Sequence, residues 1–299
     1  MGKVKKKINT RREQRINYLK TKLRFFRKAN WDGVKVIFIV STGRTGTHFL
    51  ARFFRSLSPA IDSRHEPDPD FLKLGVKYAR GKVSLEDAAG VIRARRLWIA
   101  DSIRKNNKNI YIESNNRYFS LIPILWGNFP QAKIIHIVRD GRDVVRSTMN
   151  RDFYTPGDGI YFRKKMRLQA TDFSDDPYCN KWGSMTQFQK CCWHWVKKDG
   201  FIYQAIKGDS RAVTVKFRDI FNKESNYQGL WEIVNFMDIG INREDFRKQC
   251  SLAMDKKINV SKREDFPHWR QWSGEQREQF MSIAGEYMEL YGYDMGDFL

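Results

Sequence analysis

Short apolar runs alternate with longer stretches of helical period along most of this chain. Residues 34–40, Val-Lys-Val-Ile-Phe-Ile-Val, are compact, apolar and rich in β-branched side chains, the pattern of a strand buried on both faces. Residues 48–54 then place Phe49, Leu50, Phe53 and Phe54 on one helical face. Further apolar runs at 110–112, 133–138 and 212–217 predict strands, and helical spacing recurs at 84–105, 121–129, 144–149, 184–207, 230–237 and 275–291. Strands separated by helices imply parallel βαβ units. The expected fold class is therefore α/β and three-layer: a central, mainly parallel sheet with helices on both faces, of the P-loop nucleotide-binding type, with ligands at the carboxyl ends of the strands.

Two stretches break the alternation. Residues 58–69 hold three prolines and several charges, so they form a loop or a short edge strand. Residues 151–183 mix glycines, prolines, charges and aromatics without a period, as a cap over a site does. No internal repeat or clean linker divides the rest, which predicts one domain over 31–299 behind a distinct segment at 1–30. Within residues 184–207, Trp193, Trp195 and Ile202 belong to a core rather than to a cofactor site, and His136, in the middle of a strand, is core as well.

Charge sharpens the picture of that first segment. The 299 residues carry a net +21, but residues 1–28 contain twelve Lys or Arg against the single acid Glu13, a net +11, leaving +10 for the other 271. The excess is thus half an N-terminal arm. Ile16, Leu19, Leu23 and Phe26 fall at helical spacing within it, so the arm is read as partly helical. Its composition suits an anionic membrane surface, an acidic polymer or nucleic acid, and suits a solvated tail equally well. Composition otherwise is globular, at 41% hydrophobic and 14% aromatic residues, with no apolar run of membrane-spanning length and no secretory signal pattern. Cys179, Cys191, Cys192 and Cys250 follow neither a disulfide framework nor a zinc spacing, so a reducing, cytoplasmic setting is expected and no metal is called for.

Chemistry concentrates in two loops. Ser41-Thr42-Gly43-Arg44-Thr45-Gly46-Thr47 joins a strand to a helix, where two glycines permit a tight turn and the helix N-terminus favours an anion. It departs from the Walker A pattern, because Gly46 is followed by Thr47 and His48 rather than by Lys and a hydroxyl residue. The cation, Arg44, instead stands between the glycines. The second loop begins at Arg139, at the end of the 133–138 strand, with Ser147 two helical turns later. An arginine fork and a hydroxyl there suit a second phosphate.

Together these loops resemble the two nucleotide signatures of the sulfotransferases that use 3′-phosphoadenosine 5′-phosphosulfate (PAPS). The resemblance implies that Thr42, Gly43, Arg44, Thr45, Gly46, Thr47 and His48 hold the 5′-phosphosulfate, with Arg44 near the bridging oxygen, while Arg139 and Ser147 take the 3′-phosphate. His48 departs from the family's usual second Thr and alters one phosphate hydrogen bond; Gly141 departs from its usual Pro and loosens a turn. Residues 212–220 are similar to the family's late strand, with Arg218 where an acid is common. Ser261, Lys262 and Arg263, followed by Trp269, resemble its C-terminal basic loop, and residues 269–293 its closing helix. The resemblance covers residues 34–293, specific in two loops and weaker elsewhere.

Sulfuryl transfer requires a base for the acceptor's proton and cations for the departing phosphate. The His65-Glu66-Pro67 context resembles the carbohydrate and tyrosylprotein members, which use a Glu after the first helix, so Glu66 is the expected base and Arg44 the expected catalytic cation. His65 and Glu113 stand behind it as alternatives. The expected reaction moves a sulfuryl group from PAPS to a hydroxyl or amine. Arg151, Arg163, Lys164, Lys165 and Arg167, interleaved with Tyr154, Tyr161, Phe162 and Trp182, suit a carbohydrate or other glycosylated or acidic acceptor. A P-loop nucleotide or sugar kinase is the alternative enzyme, and a basic nucleic-acid-binding protein the alternative of another class. Nucleic acid is the less favoured partner.

Overall fold

The computed structural model describes residues 30–67, 71–155, 166–254 and 265–296. The basic arm, the stretch 156–165 within the expected cap, and Ser261, Lys262 and Arg263 lie outside the described residues. Five strands, β1 (Lys35–Val40), β2 (Ile61–His65), β3 (Ile110–Ser114), β4 (Lys133–Val138) and β5 (Ala212–Lys216), form a sheet in the order β2-β3-β1-β4-β5. Every neighbouring pair is parallel. The proline-rich stretch 58–69 supplies β2, which is an edge strand.

The helices are α1 (Thr47–Leu57), α2 (Phe71–Ala79), α3 (Leu85–Lys105), α4 (Ile122–Asn128), α5 (Gly141–Met149), α6 (Gln187–Ile206), α7 (Phe217–Ile220), α8 (Gln228–Met237), α9 (Arg243–Met254) and α10 (Gly274–Leu290). Side chains of a strand point alternately to the two faces of its sheet. In β1 this sends Val36, Phe38 and Val40 into a core with Phe71, Ile92, Ile99 and Leu125 of α2, α3 and α4. Ile37 and Ile39 enter a second core with Phe53, Phe54, Ile233 and Phe246 of α1, α8 and α9. These two cores make the three-layer α/β architecture. A third cluster, built on Val145, Trp195, Phe280 and Met288, joins α5, α6 and α10. None of the helices among the described residues is long and apolar enough to cross a membrane.

Three helices, α2, the single turn α7 and α9, exceed the sequence expectation. α2 contains Gly75, which breaks its helical pattern, yet a Cβ there would lie 2.8 Å from the carbonyl oxygen of Arg117. The glycine is required by that close approach. α9 is only weakly amphipathic and rests on Phe246 and Cys250. Gly141 is also more than a loosened turn. A Cβ at this position would collide with the ring of Trp195, so its absence lets α5 pack onto α6.

The chain leaves β1 for β2, returns through β3, and then crosses to β4 and β5 on the opposite side. The loops after β1 and β4 therefore diverge from adjacent strands, opening a crevice at their carboxyl ends.

Candidate active site

The loop after β1 is folded around a buried hydroxyl. Ser41 Oγ accepts hydrogen bonds from the Gly43 amide (3.2 Å) and from Thr45 Oγ1 (2.7 Å). Gly43, Arg44 and Gly46 have φ values of 103°, 63° and 67°. Glycine adopts that region freely, whereas Arg44 bears strain of the kind found at ligand clamps. Gly46 precedes α1 and no side chain caps the helix, so its first amides remain available as anion donors. Thr42, Gly43, Arg44, Thr45, Gly46, Thr47 and His48 all line one cavity of about 640 Å³.

The loop after β4 meets the first one there. Arg139 donates through Nη1 to the Arg44 carbonyl oxygen (2.7 Å) and pairs through Nη2 with Asp143 (3.0 Å). Its guanidinium lies 4.8 Å from the centre of the Phe217 ring. Arg44 in turn donates from Nε to Ser147 Oγ (2.9 Å). The structure thus brings Arg44, Arg139 and Ser147 together, although the sequence separates the first from the others by 95 residues or more. Burial, then the charges of Arg151 and Arg139, lower the Arg44 guanidinium below its ordinary value. Such crowding of cations favours a bound anion.

Glu66 follows β2 with φ of 41° and its amide donates to the Ser114 carbonyl oxygen (3.1 Å). Its carboxylate faces the same cavity and pairs with Arg117 at 3.0 Å. Arg117 lies in a 3₁₀ turn, Asn116–Tyr118, pressed against Gly75. His65 stands beside Glu66; its Nδ1 is 3.3 Å from Ser114 Oγ and its ring meets that of His48 edge-on at 5.4 Å. Burial lowers the His65 imidazole below its ordinary value, opposed by Glu66.

Glu113 is removed from the set of candidate bases. It is fully buried, and its carboxylate receives two bonds from Arg96 (2.8 and 2.6 Å), one from the Tyr111 hydroxyl (2.6 Å) and one from Asn115 Nδ2 (2.9 Å). With its oxygens engaged and no place in the cavity lining, it anchors α3 to β3 and does not meet an acceptor.

Several lining residues, Arg117, Lys198 and His194 among them, were not singled out by the sequence. Lys198 and His194 both come from α6, which begins with Thr186 accepting from the Gln189 amide (3.2 Å). Lys198 is 6% exposed, and its Nζ donates to the carbonyl oxygens of Thr42 (3.3 Å) and Asn116 (3.4 Å). Burial pulls its ammonium down to about 8, opposed chiefly by Glu66. His194 is held at Nδ1 by the Tyr154 hydroxyl (2.9 Å), and burial with nearby Lys198 and Arg167 keeps it neutral, well below the ordinary imidazole value. The next residue, Asp199, bonds His136 Nε2 (2.9 Å) and fastens α6 to β4, while Trp193, Trp195 and Ile202 are core. A signal existed in the sequence: Lys198 and Asp199 fall within the apolar stripe that runs from Phe188 through Trp195 to Ile202.

The model of the Sulfotransferase family matches residues 36–224, well over half of the chain. Three solved structures are similar in fold. A sulfotransferase domain from the curacin biosynthetic pathway has 14% identity and a TM-score of 0.46, over 87% of this chain and 98% of its own. Mouse sulfotransferase SULT7A1 complexed with PAP has 15% identity and a TM-score of 0.48, over 91% and 93%. A sulfotransferase from Alicyclobacillus acidocaldarius has 14% identity and a TM-score of 0.45, over 88% and 98%. No curated protein matches the chain.

Proposed function

We infer that this chain, which belongs to the sulfotransferase family, moves a sulfuryl group from PAPS to a hydroxyl or amine on a carbohydrate or other glycosylated or acidic acceptor. The observation that carries the donor reading is the junction of two anion-binding loops in one cavity, where Arg139 and Arg44 bond across and Arg44 reaches Ser147. PAPS has anionic groups at both ends, and a cavity of about 640 Å³ has the volume of a nucleotide site. In this reading the amides and hydroxyls from Thr42 to His48 hold the 5′-phosphosulfate. Arg139 and Ser147 hold the 3′-phosphate, and Arg44 stabilises charge on the departing oxygen. No metal takes part.

The acceptor reading rests on the rest of the lining. Arg117, Arg151 and Arg167 place positive charge around it, which suits an acidic acceptor. Glu66 takes the proton from the attacking group, and its partner Arg117 keeps the carboxylate oriented. Bond formation from acceptor oxygen to sulfur accompanies cleavage of the bond from sulfur to the phosphate oxygen, which leaves with the electron pair. The four free thiols support a reducing, cytoplasmic setting. The basic arm is proposed as a peripheral contact for anionic membrane or acidic polymer.

Calorimetric titration with adenosine 3′,5′-bisphosphate, ATP and an oligonucleotide tests this reading. Tight binding of the bisphosphate alone is the expected result. Preference for ATP with magnesium would replace it by the kinase reading, and salt-sensitive binding of the oligonucleotide alone by the nucleic-acid reading.

A further inference from the structure

Lys198 is the one lysine among the described residues that line the cavity. An ammonium offers three donors. Here its hydrogen bonds go to main-chain carbonyls, at 3.3 and 3.4 Å, and not to a carboxylate. Burying a cation against neutral carbonyls is costly, and an aliphatic side chain of the same length would pack on this stripe of α6 without that cost. The two carbonyls belong to different parts of the site. Thr42 opens the phosphate loop, and Asn116 adjoins Arg117, the partner of Glu66. Lys198 therefore stands on the seam between the donor loop and the proposed base.

We propose that Lys198 is a further catalytic residue of the transfer, its ammonium binding the sulfuryl oxygens as that group passes from donor to acceptor. The inference rests on the PAPS reading above. The acceptor proton still goes to Glu66 and the electron pair to the departing phosphate; Lys198 keeps its own proton and supplies charge. A buried ammonium at this seam acts in a medium of low dielectric, where its field on the moving group is stronger than in water. Glu66 and Asp199 favour its charged form, while burial, Arg167 and Arg117 oppose it, and His194 faces it as a neutral ring. The balance sets its proton loss at about 8 in the free protein, so its contribution falls as pH rises through that value.

PAPS and adenosine 3′,5′-bisphosphate differ only by the sulfuryl group, so their affinities isolate this contact without an acceptor. Calorimetry on Lys198→Met should show PAPS binding weakened about tenfold, the effect of one lost charge-assisted hydrogen bond, with bisphosphate binding unchanged. Lys198→Arg should restore PAPS binding and abolish its decline between pH 7 and 9. Equal weakening of both nucleotides would make Lys198 a support for the phosphate loop and overturn the proposal, as would no change in either. A wild-type protein that binds neither nucleotide would overturn the donor reading and this inference with it, a result distinct from a failure at Lys198 alone.

Discussion

Arg44 Nε donates to Ser147 Oγ at 2.9 Å, a bond between the glycine loop after β1 and the helix after β4 that spans 103 residues of chain. The main-chain carbonyl of the same arginine receives Arg139. One residue thus couples the loop after β1 to both Ser147 and Arg139.

Substitutions at the two arginines should separate their roles. Arg44→Ala removes the cation proposed at the departing oxygen, and kcat for transfer from ³⁵S-labelled PAPS should fall about 10²–10³-fold. Arg139→Ala should chiefly raise the dissociation constant for adenosine 3′,5′-bisphosphate, with kcat at saturating donor near that of the wild type. The opposite pattern would exchange their assignments.

Glu66→Gln keeps the shape of the side chain and removes its basicity. Transfer should drop about 10²–10⁴-fold, while calorimetric affinity for the bisphosphate stays within a factor of about two. Retained turnover would move the base to His65, which lies in the same cavity and has a depressed proton affinity.

The parts of this site that are legible in the sequence are those whose cause is local. An apolar β-branched run followed by Gly43, Arg44 and Gly46 announces strand, turn and helix within about twenty residues, because each element is determined by neighbours in the chain. The alternating pattern likewise carries the sheet and its two covered faces. Gly75 and Gly141 are different: one yields to the Arg117 carbonyl and the other to the Trp195 ring, contacts made 42 and 54 residues further along. Glu113 shows the same limit from the other side. Its position at the end of β3 suggests a site, and only the arrival of Arg96 from α3 turns it into an anchor. Lys198 is hidden because a lysine beside another lysine in a helix reads as solvent-facing until the register of the buried stripe is followed through it.

Gly141→Ala should test that long-range packing. The added methyl must displace Trp195, which is fully buried, and overpacking of this kind costs about 1–3 kcal/mol. Gly127→Ala is the matched control, since its position in α4 has no neighbour within 4 Å, and it should gain about 0.5–1 kcal/mol from helix propensity. Urea unfolding of the two variants should therefore give shifts of opposite sign.

Lys198 also makes a prediction about stability that is independent of any ligand. Its ammonium loses the proton at about 8 in the folded protein against an ordinary value of 10.5. Between those values the unfolded chain binds more protons at this residue than the folded one, so the contribution of Lys198 to stability rises with pH across that window. From pH 7 to 9.5 the gain attributable to this residue is about 2 kcal/mol. Cys192 and Cys250, both pushed up by burial, act in the opposite direction from about pH 9, as does Tyr287, pushed up to about 12 by burial, above about pH 10. The measurement is therefore the difference in urea unfolding free energy between Lys198→Met and the wild type at the two pH values. The variant should be the more stable at pH 7, with most of that advantage gone at pH 9.5. A difference that stays constant with pH would mean that Lys198 does not change its charge in this range, and the cost of its burial would then lie in packing alone.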